Sequence, residues 1–427
     1  MKKIMLLLMT LMFASSCIQQ ENKEVENDGI YSGIFNHGNF SDAISFEIKK
    51  DSTDWKVFFT SLEQNAFQIP ARNVEISGDS IYFMLQSDRY TYNFKNKWTD
   101  NYAGLSGSLE VDSLLTTYSL KREARSEEES VKSEEIVFQS NGLNIGGTIR
   151  KPSKSNSNAI VFLTSSGGGD RSGSRAEAIY FAEKGYVTFH YDKRGTGTSE
   201  GDWQAATMEE LLSDDMNAID YFSEQTGIPL SKIGIKGSSQ GATKVPYILN
   251  ELQELRYGIA ASCPGSNLLE SDLNAWKNNN PDISEEGVEL QRKVFKHIAG
   301  DLNRNELEKS IALEKSKPWF QNIWIPNLDE VQVDKKLLYS PMPYFQKTEQ
   351  PILVIQGTLD EIIPEKSHEL ISTALEEAGN ENYKIIQLKG ANHSMYHVGK
   401  TDFPYWAKLH DDYLKIFEGW VSNVSNK

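Results

Sequence analysis

At 427 residues the chain is long enough for one large core plus a second domain, and its 39% hydrophobic and 24% charged residues are a globular composition. A formal net charge of −16 argues against nucleic acid, whose phosphates need a basic surface, and disfavours strongly anionic polymers as substrates. Seven histidines and two cysteines give no obvious zinc spacing, so neither a metal nor a cofactor is expected.

The chain begins with a basic head, Met1-Lys2-Lys3, then an apolar run from Ile4 to Phe13 and small residues before Cys17. That order makes an export signal, too short to span a bilayer permanently. A Cys after small residues resembles the bacterial lipobox, although Ala14 stands where Leu is commonest. It implies cleavage before Cys17, lipid on its thiol, and an exported chain anchored to the membrane of the cell envelope. The alternative is an ordinary cleaved signal with an incidental Cys. Residues 18–28, with Glu21, Glu24, Glu26 and Asp28, read as a hydrated tether.

From 29 to 122 short β-rich runs alternate with polar turns. They include Ala43 to Ile48, Asp54 to Phe59, Asn73 to Ile76, Ser80 to Leu85 and Tyr90 to Phe94. Closely spaced strands of this kind predict a small antiparallel sandwich or barrel. No residues there suggest chemistry. Residues 123–135 are charged, lack apolar periodicity, and read as a linker.

After residue 136 strands and helices alternate, which predicts a parallel α/β body extending to about 424. Ile136 to Phe138 and Ile145 to Ile149 form a leading strand pair. Ala159 to Leu163 is a buried-type strand, Arg175 to Lys184 a helix, and Tyr186 to Tyr191 the next strand. Thr207 to Gln225 places Met208, Leu211, Leu212, Met216, Ile219 and Phe222 on one helical face. Strands follow at 233–238, 257–261, 351–355 and 383–388, and a helix over 405–421 closes the chain. The rhythm lapses between about 265 and 350. A segment that long reads as a lid over the active-site mouth, or as an insertion whose late aromatics only pack it onto the body. Cys263 follows a strand and is expected to be a buried small residue.

Within this body, Ile233 to Gly241 is a strand running into G-x-S-x-G, and a helix-prone segment follows: the context of a nucleophile elbow. Ser239 is the candidate nucleophile. Acyl transfer also needs a base, an acid to orient it and donors for the oxyanion, and in this arrangement the chain order is Ser, acid, His. Asp360 lies just past a buried strand in Gly357-Thr358-Leu359-Asp360, with Glu361 as the competing acid. His393 lies after the last strand in Asn392-His393, with His397 as the fallback base. Loops at the C-terminal ends of parallel strands converge on one crevice, so the three can meet. One oxyanion donor is expected at the N–H of Gln240, which starts a helix. The other is expected in the glycine run after the 159–163 strand, at Gly167 in preference to Gly168. Gly195-Thr196-Gly197 lacks the third Gly of a dinucleotide fingerprint and the Lys of a P-loop, so it reads as a structural turn.

Over residues 136–424 these motifs, together with Tyr191-Asp192-Lys193-Arg194-Gly195-Thr196-Gly197, resemble the α/β-hydrolase superfamily. The likeness is greatest to bacterial serine aminopeptidase-like and dienelactone hydrolase-like esterases, a subset of which carries an N-terminal all-β domain. The resemblance implies an α/β-hydrolase fold and a serine hydrolase working through Ser239, His393 and Asp360, and the expected activity is that of a carboxylesterase on small or medium acyl esters. Two departures stand out: Ser165-Ser166 where His-Gly is common, and Ser238 where His is frequent. An aminopeptidase or amidase of the same fold is the alternative, and a non-catalytic surface binding lipoprotein a third.

Overall fold

The computed structural model describes residues 27–425 apart from 39, 52–53, 62–63, 65, 87–89, 125–129 and 398–408. The export signal and Cys17 lie outside the described residues.

Nine strands form the first sheet: β1 (Gly29–His37), β2 (Phe40–Asp51), β3 (Asp54–Ser61), β4 (Ala66–Pro70), β5 (Arg72–Ser77), β6 (Ser80–Gln86), β7 (Thr91–Thr99), β8 (Gly104–Val111) and β9 (Leu114–Arg122). Their order is 4-3-2-1-9-8-7-6-5, and neighbouring pairs run antiparallel. The two edge strands, β4 and β5, are consecutive in the chain. Only Ala71 separates them, and its N–H donates to Val57 O in β3 at 2.8 Å. Edges joined so closely require the sheet to curl on itself into a barrel-like form. β7 shows why this sequence makes such a wall: Tyr92, Phe94, Asn96 and Trp98 are buried while Asn93, Lys95 and Lys97 between them are exposed. Inside, Phe46 meets Phe83 and Phe94 edge-on with ring centroids 5.0 and 5.1 Å away.

Eight strands form the second sheet: β10 (Val131–Ser140), β11 (Leu143–Pro152), β12 (Ala159–Phe162), β13 (Val187–Tyr191), β14 (Ile233–Ser238), β15 (Tyr257–Ala261), β16 (Ile352–Gly357) and β17 (Tyr383–Leu388), in the order 10-11-13-12-14-15-16-17. β10 and β11 run antiparallel to their neighbours, and the pairs from β13 to β17 are parallel. The α-helices are α1 (Arg175–Glu183), α2 (Met208–Thr226), α3 (Gln240–Glu251), α4 (Leu268–Asn278), α5 (Glu285–Ile298), α6 (Arg304–Glu314), α7 (Met342–Phe345), α8 (Ser367–Glu377) and α9 (Tyr413–Ser425). Apolar residues of α2, α3 and α8 pack with Val161, Ile235 and Val354 on one face of the sheet. Those of α1 and α9 pack with Ile160, Phe162 and Leu353 on the other. This is the α/β-hydrolase fold, preceded by an antiparallel β domain. The chain leaves β12 toward β13 and returns to β14, so the loops after β12 and β14 flank the switch point where α/β sheets bind ligands.

Two expectations need correction. Strand β10 starts at Val131, inside the stretch read as linker, and pairs with β11 along its whole length. It is an edge strand whose charges are used: Lys151 bonds Glu134 at 2.9 Å, and Arg171 pairs with Glu135. A solvated edge strand and a linker share the same charged composition. The closing helix starts at Tyr413 rather than 405. Leu409 is in an isolated bridge with Tyr396, and 405–408 lie outside the described residues.

The segment 265–350 carries α4 to α7 and has small cores of its own, one around Leu269, Leu273, Phe295 and Ala299, another around Leu290, Val294, Leu307 and Ile323. Trp319 and Phe320 pack within this insertion, whereas Tyr339 and Phe345 pack onto the body.

Candidate active site

Ser239 stands between β14 and α3 with φ 54° and ψ −124°, a backbone conformation that side-chain-bearing residues rarely adopt and that costs on the order of 1–3 kcal/mol. The flanking glycines make the turn feasible. A Cβ on Gly237 would lie 2.2 Å from Gly241 O, and one on Gly241 would lie 2.8 Å from Thr164 O. The first contact lets strand and helix close on each other; the second brings the helix N-terminus against the loop after β12. The N–H of Gln240 is at the first position of α3, where a helix offers no internal acceptor.

The loops after β16 and β17 come together in the same way. A Cβ on Gly357 would stand 2.2 Å from Ala391 O, and Leu359 N–H donates to Ala391 O at 2.9 Å. This contact brings Asp360 to His393, whose Nδ1 lies 2.9 and 3.1 Å from the two carboxylate oxygens. Asp360 Oδ1 also accepts the N–H groups of Ile362 and Ile363, both at 2.9 Å. The side chain of Asp360 is 1% exposed and that of His393 12%. An ionised carboxylate only accepts, so the proton between them resides on Nδ1 and the lone pair of Nε2 is left for chemistry. Ser262, at the end of β15 with φ 51°, fixes the histidine loop by donating from Oγ to His393 O at 2.6 Å.

Ser239, Gln240 and His393 line one cavity of about 570 Å³, and Ser165, Ser166 and Gly167 belong to the same wall. Among the described residues no hydrogen bond joins Ser239 Oγ to the imidazole. Gly168 is not among the lining residues, and a Cβ on it would lie 3.7 Å from the indole nitrogen of Trp203, which does line the cavity. Glu361 accepts the His393 N–H at 3.3 Å, so it braces the loop and leaves the imidazole to Asp360. His397 is exposed, 5.8 Å between ring centroids from His410. Cys263 is buried, and burial alone pushes its thiol up.

Other polar residues at the site escaped the sequence. Lys236 donates to Glu177 Oε2 and to Ser238 Oγ, both at 2.7 Å, and Tyr413 OH donates to Glu177 Oε1 at 2.5 Å. All four line the cavity. From the insertion come Asp272 on α4 and the Asp334–Lys336 pair, joined at 3.0 Å. Asp272 opens to the cavity yet is ringed by protein. This desolvation, reinforced by Asp334, raises its carboxyl to about 6.

The turn after β13 proves structural: its side chains form a polar network and none of them lines the cavity. Gly197 packs against the Asp192 carboxylate, which accepts Thr198 N–H at 2.8 Å and Arg171 Nη1 at 2.6 Å. Tyr191 OH reaches Asp215 at 2.5 Å, and Arg194 Nε reaches Asp214 at 2.6 Å. Charged residues directly after a buried strand were the available signal for this network. Among the described residues, no group of three or more His, Cys, Asp or Glu could hold a metal ion.

The profile of the X-Pro dipeptidyl-peptidase (S15) family matches residues 85–395. Two Escherichia coli relatives, each described as an uncharacterized 31.7 kDa protein in the traX-finO intergenic region, are 22% identical over 213 residues, covering 48% of this chain and 73% of theirs. Similar solved structures include an esterase of Pyrococcus furiosus, at 15% identity and TM-score 0.43, covering 70% of this chain and 89% of that one. Another is a proline iminopeptidase of Mycobacterium smegmatis, at 14% identity and TM-score 0.43, covering 69% and 97%. A putative dienelactone hydrolase of Klebsiella pneumoniae shows 14% identity and TM-score 0.43, covering 69% and 99%.

Proposed function

The chain belongs to the X-Pro dipeptidyl-peptidase (S15) family and is a serine hydrolase of the α/β fold, and on that premise we propose that it cleaves small or medium carboxylic esters through an acyl-enzyme. The supporting observation is the strained Ser239 elbow, sharing a cavity wall with an imidazole whose far nitrogen is held by a buried carboxylate. Ser239 Oγ attacks the ester carbonyl carbon while its proton passes to His393 Nε2; the contact between the two closes on substrate, as catalytic hydrogen bonds often do. The carbonyl π electrons become an oxyanion, held by Gln240 N–H and an amide of the loop after β12. Asp360 keeps the imidazole oriented and stabilises its cation. The intermediate collapses, the C–O bond breaks, and the alcohol leaves with the proton from His393. Water, deprotonated by His393, then attacks the acyl-enzyme and restores Ser239.

A second reading is amide hydrolysis of substrates with a free amino terminus. Asp272 favours it, because it has no hydrogen-bond or ion-pair partner among the described residues and is a carboxylate at neutral pH, open to the cavity. Parallel assays on p-nitrophenyl esters and on aminoacyl anilides separate the two. Faster turnover of the esters is expected; turnover of the anilides alone would replace the first reading by the second.

We also propose export and lipid attachment at Cys17, supported by the basic head, apolar run and small residues before it. Cys17→Ala is expected to move the chain from the membrane fraction to the soluble one. Equal membrane retention of both would exclude the anchor.

A further inference from the structure

The glycine run 167–169 leaves the backbone after β12 free to adopt many conformations, yet an oxyanion donor must be aimed in advance. The start of this loop is pinned: Thr164 Oγ1 accepts from Lys244 Nζ at 2.9 Å and donates to Asp215 at 3.2 Å. Ser165 Oγ donates to Ser238 O at 2.8 Å, tying the loop to the elbow itself. Beyond that point the anchor is Lys193. Its side chain is buried, and its ammonium reaches no carboxylate among the described residues. It donates instead to Ser165 O at 2.8 Å and to Gly167 O, and lies 4.6 Å from the centroid of the Trp203 ring. Burial, with Lys244 adding repulsion, pulls the Lys193 ammonium down to about 8.

The peptide unit is planar and trans, so a carbonyl and the N–H that follows it point in opposite directions. Carbonyls of residues 165 and 167 drawn toward Lys193 therefore turn the N–H groups of Ser166 and Gly168 away from it. Ser165, Ser166 and Gly167 belong to the cavity wall together with Ser239 and Gln240, and Lys193 does not. Away from Lys193 thus means toward the cavity for Ser166, whereas Gly168 is not part of the lining. Among the described residues the Ser166 N–H has no acceptor. A cation on the carbonyl side also polarises the peptide and strengthens its N–H as a donor.

From this geometry we infer that Lys193 is a positioning residue of the oxyanion hole, and that it aims the Ser166 N–H as the partner of Gln240 N–H, in place of Gly167 or Gly168. The inference rests on the acyl-enzyme reading above and deepens it.

The test uses the full chain and its Lys193→Met and Lys193→Arg variants, with active sites counted by labelling to end point with a fluorophosphonate. Turnover of p-nitrophenyl acetate per labelled site is expected to fall on the order of 10²-fold in Lys193→Met, the effect of losing one oxyanion donor. KM is expected to change by less than about twofold, because the hole acts on the transition state. Affinity for phenylboronic acid, which forms a tetrahedral adduct, falls in parallel. Lys193→Arg, which still donates to both carbonyls, restores most of both. A purely structural role would lower the number of labelled sites and leave turnover per site unchanged, and that result overturns the inference. Should Lys193→Met fail to fold, Lys193→Gln, which can serve only one carbonyl well, is expected to show an intermediate loss; unchanged turnover per site there overturns it equally. A wild-type chain that neither labels nor turns over would remove the serine-hydrolase reading, and the inference with it.

Discussion

In the barrel, positive φ at Asp100, Asn101, Tyr102 and Asp112 falls in the turns that join β7 to β8 and β8 to β9. In the α/β body, Ser239 and Ser262 adopt it at the ends of β14 and β15, with Ser239 on the cavity wall and Ser262 holding the histidine loop. The interiors differ in the same sense. The barrel encloses aromatic rings and a void of about 30 Å³, with Asn96 and Tyr118 bonded to each other and one carboxylate, Asp42, buried and accepting from Ser61 Oγ at 2.7 Å. The body buries whole charges: Lys244 pairs with Asp215 at 2.5 Å, both side chains fully buried, and Lys193 spends its ammonium on backbone carbonyls. Strain in the barrel turns corners and, at Gln68 and Asn73, falls within the edge strands β4 and β5. In the body it only turns the chain at Asn141 and Ser157, whereas at Ser239 and Ser262 it sets the candidate nucleophile and the histidine loop.

The contrast yields four expectations, in falling order of effect. Ser239→Ala should reduce ester turnover on the order of 10⁶-fold while leaving thermal unfolding close to wild type, measured by steady-state kinetics and calorimetry. Asp360→Asn should cost roughly 10⁴-fold in kcat, because an amide presents the imidazole with the wrong tautomer. Asp272→Asn should raise KM about tenfold for any substrate with a free amine and leave neutral esters unchanged, as expected for loss of one partly solvated ion pair. The sign with pH follows from the raised carboxyl: above about 6 Asp272 is charged and holds the amine, and below it protonates, so KM for amine substrates rises as pH falls through 6. Neutral esters should show no such dependence from this group. Finally, Tyr118→Phe strands Asn96 in the barrel and should lower stability by about 1–3 kcal/mol with kcat unchanged, read by denaturant titration and by assay. A barrel variant that altered kcat would break the division between the two regions.

Much of the α/β body was legible because its signals are local. A buried strand followed by G-x-S-x-G encodes a turn that only glycines at 237 and 241 permit, and the strands ending near Asp360 and His393 are short apolar runs. The elements that escaped depend on long-range pairing. The first half of β10, residues 131–135, reads as a linker because its charges find partners on β11 and at Arg171, tens of residues away. Strands β1, β8 and β9 carry glycine, serine or threonine between their apolar residues, and each is held in the sheet by neighbours on both sides. Asp272 carries no local mark of function, and Lys193 only the charged run after a buried strand. Their importance comes from what the insertion and the turn after β13 place around them.

The central claim is that Ser239 is an activated nucleophile, and the most direct test is intact-mass analysis with peptide mapping after treatment with a fluorophosphonate. A single adduct on Ser239, absent from Ser239→Ala and much slowed in Asp360→Asn, is the predicted result. No adduct on the folded wild-type chain, or one carried by a different serine, would contradict the account.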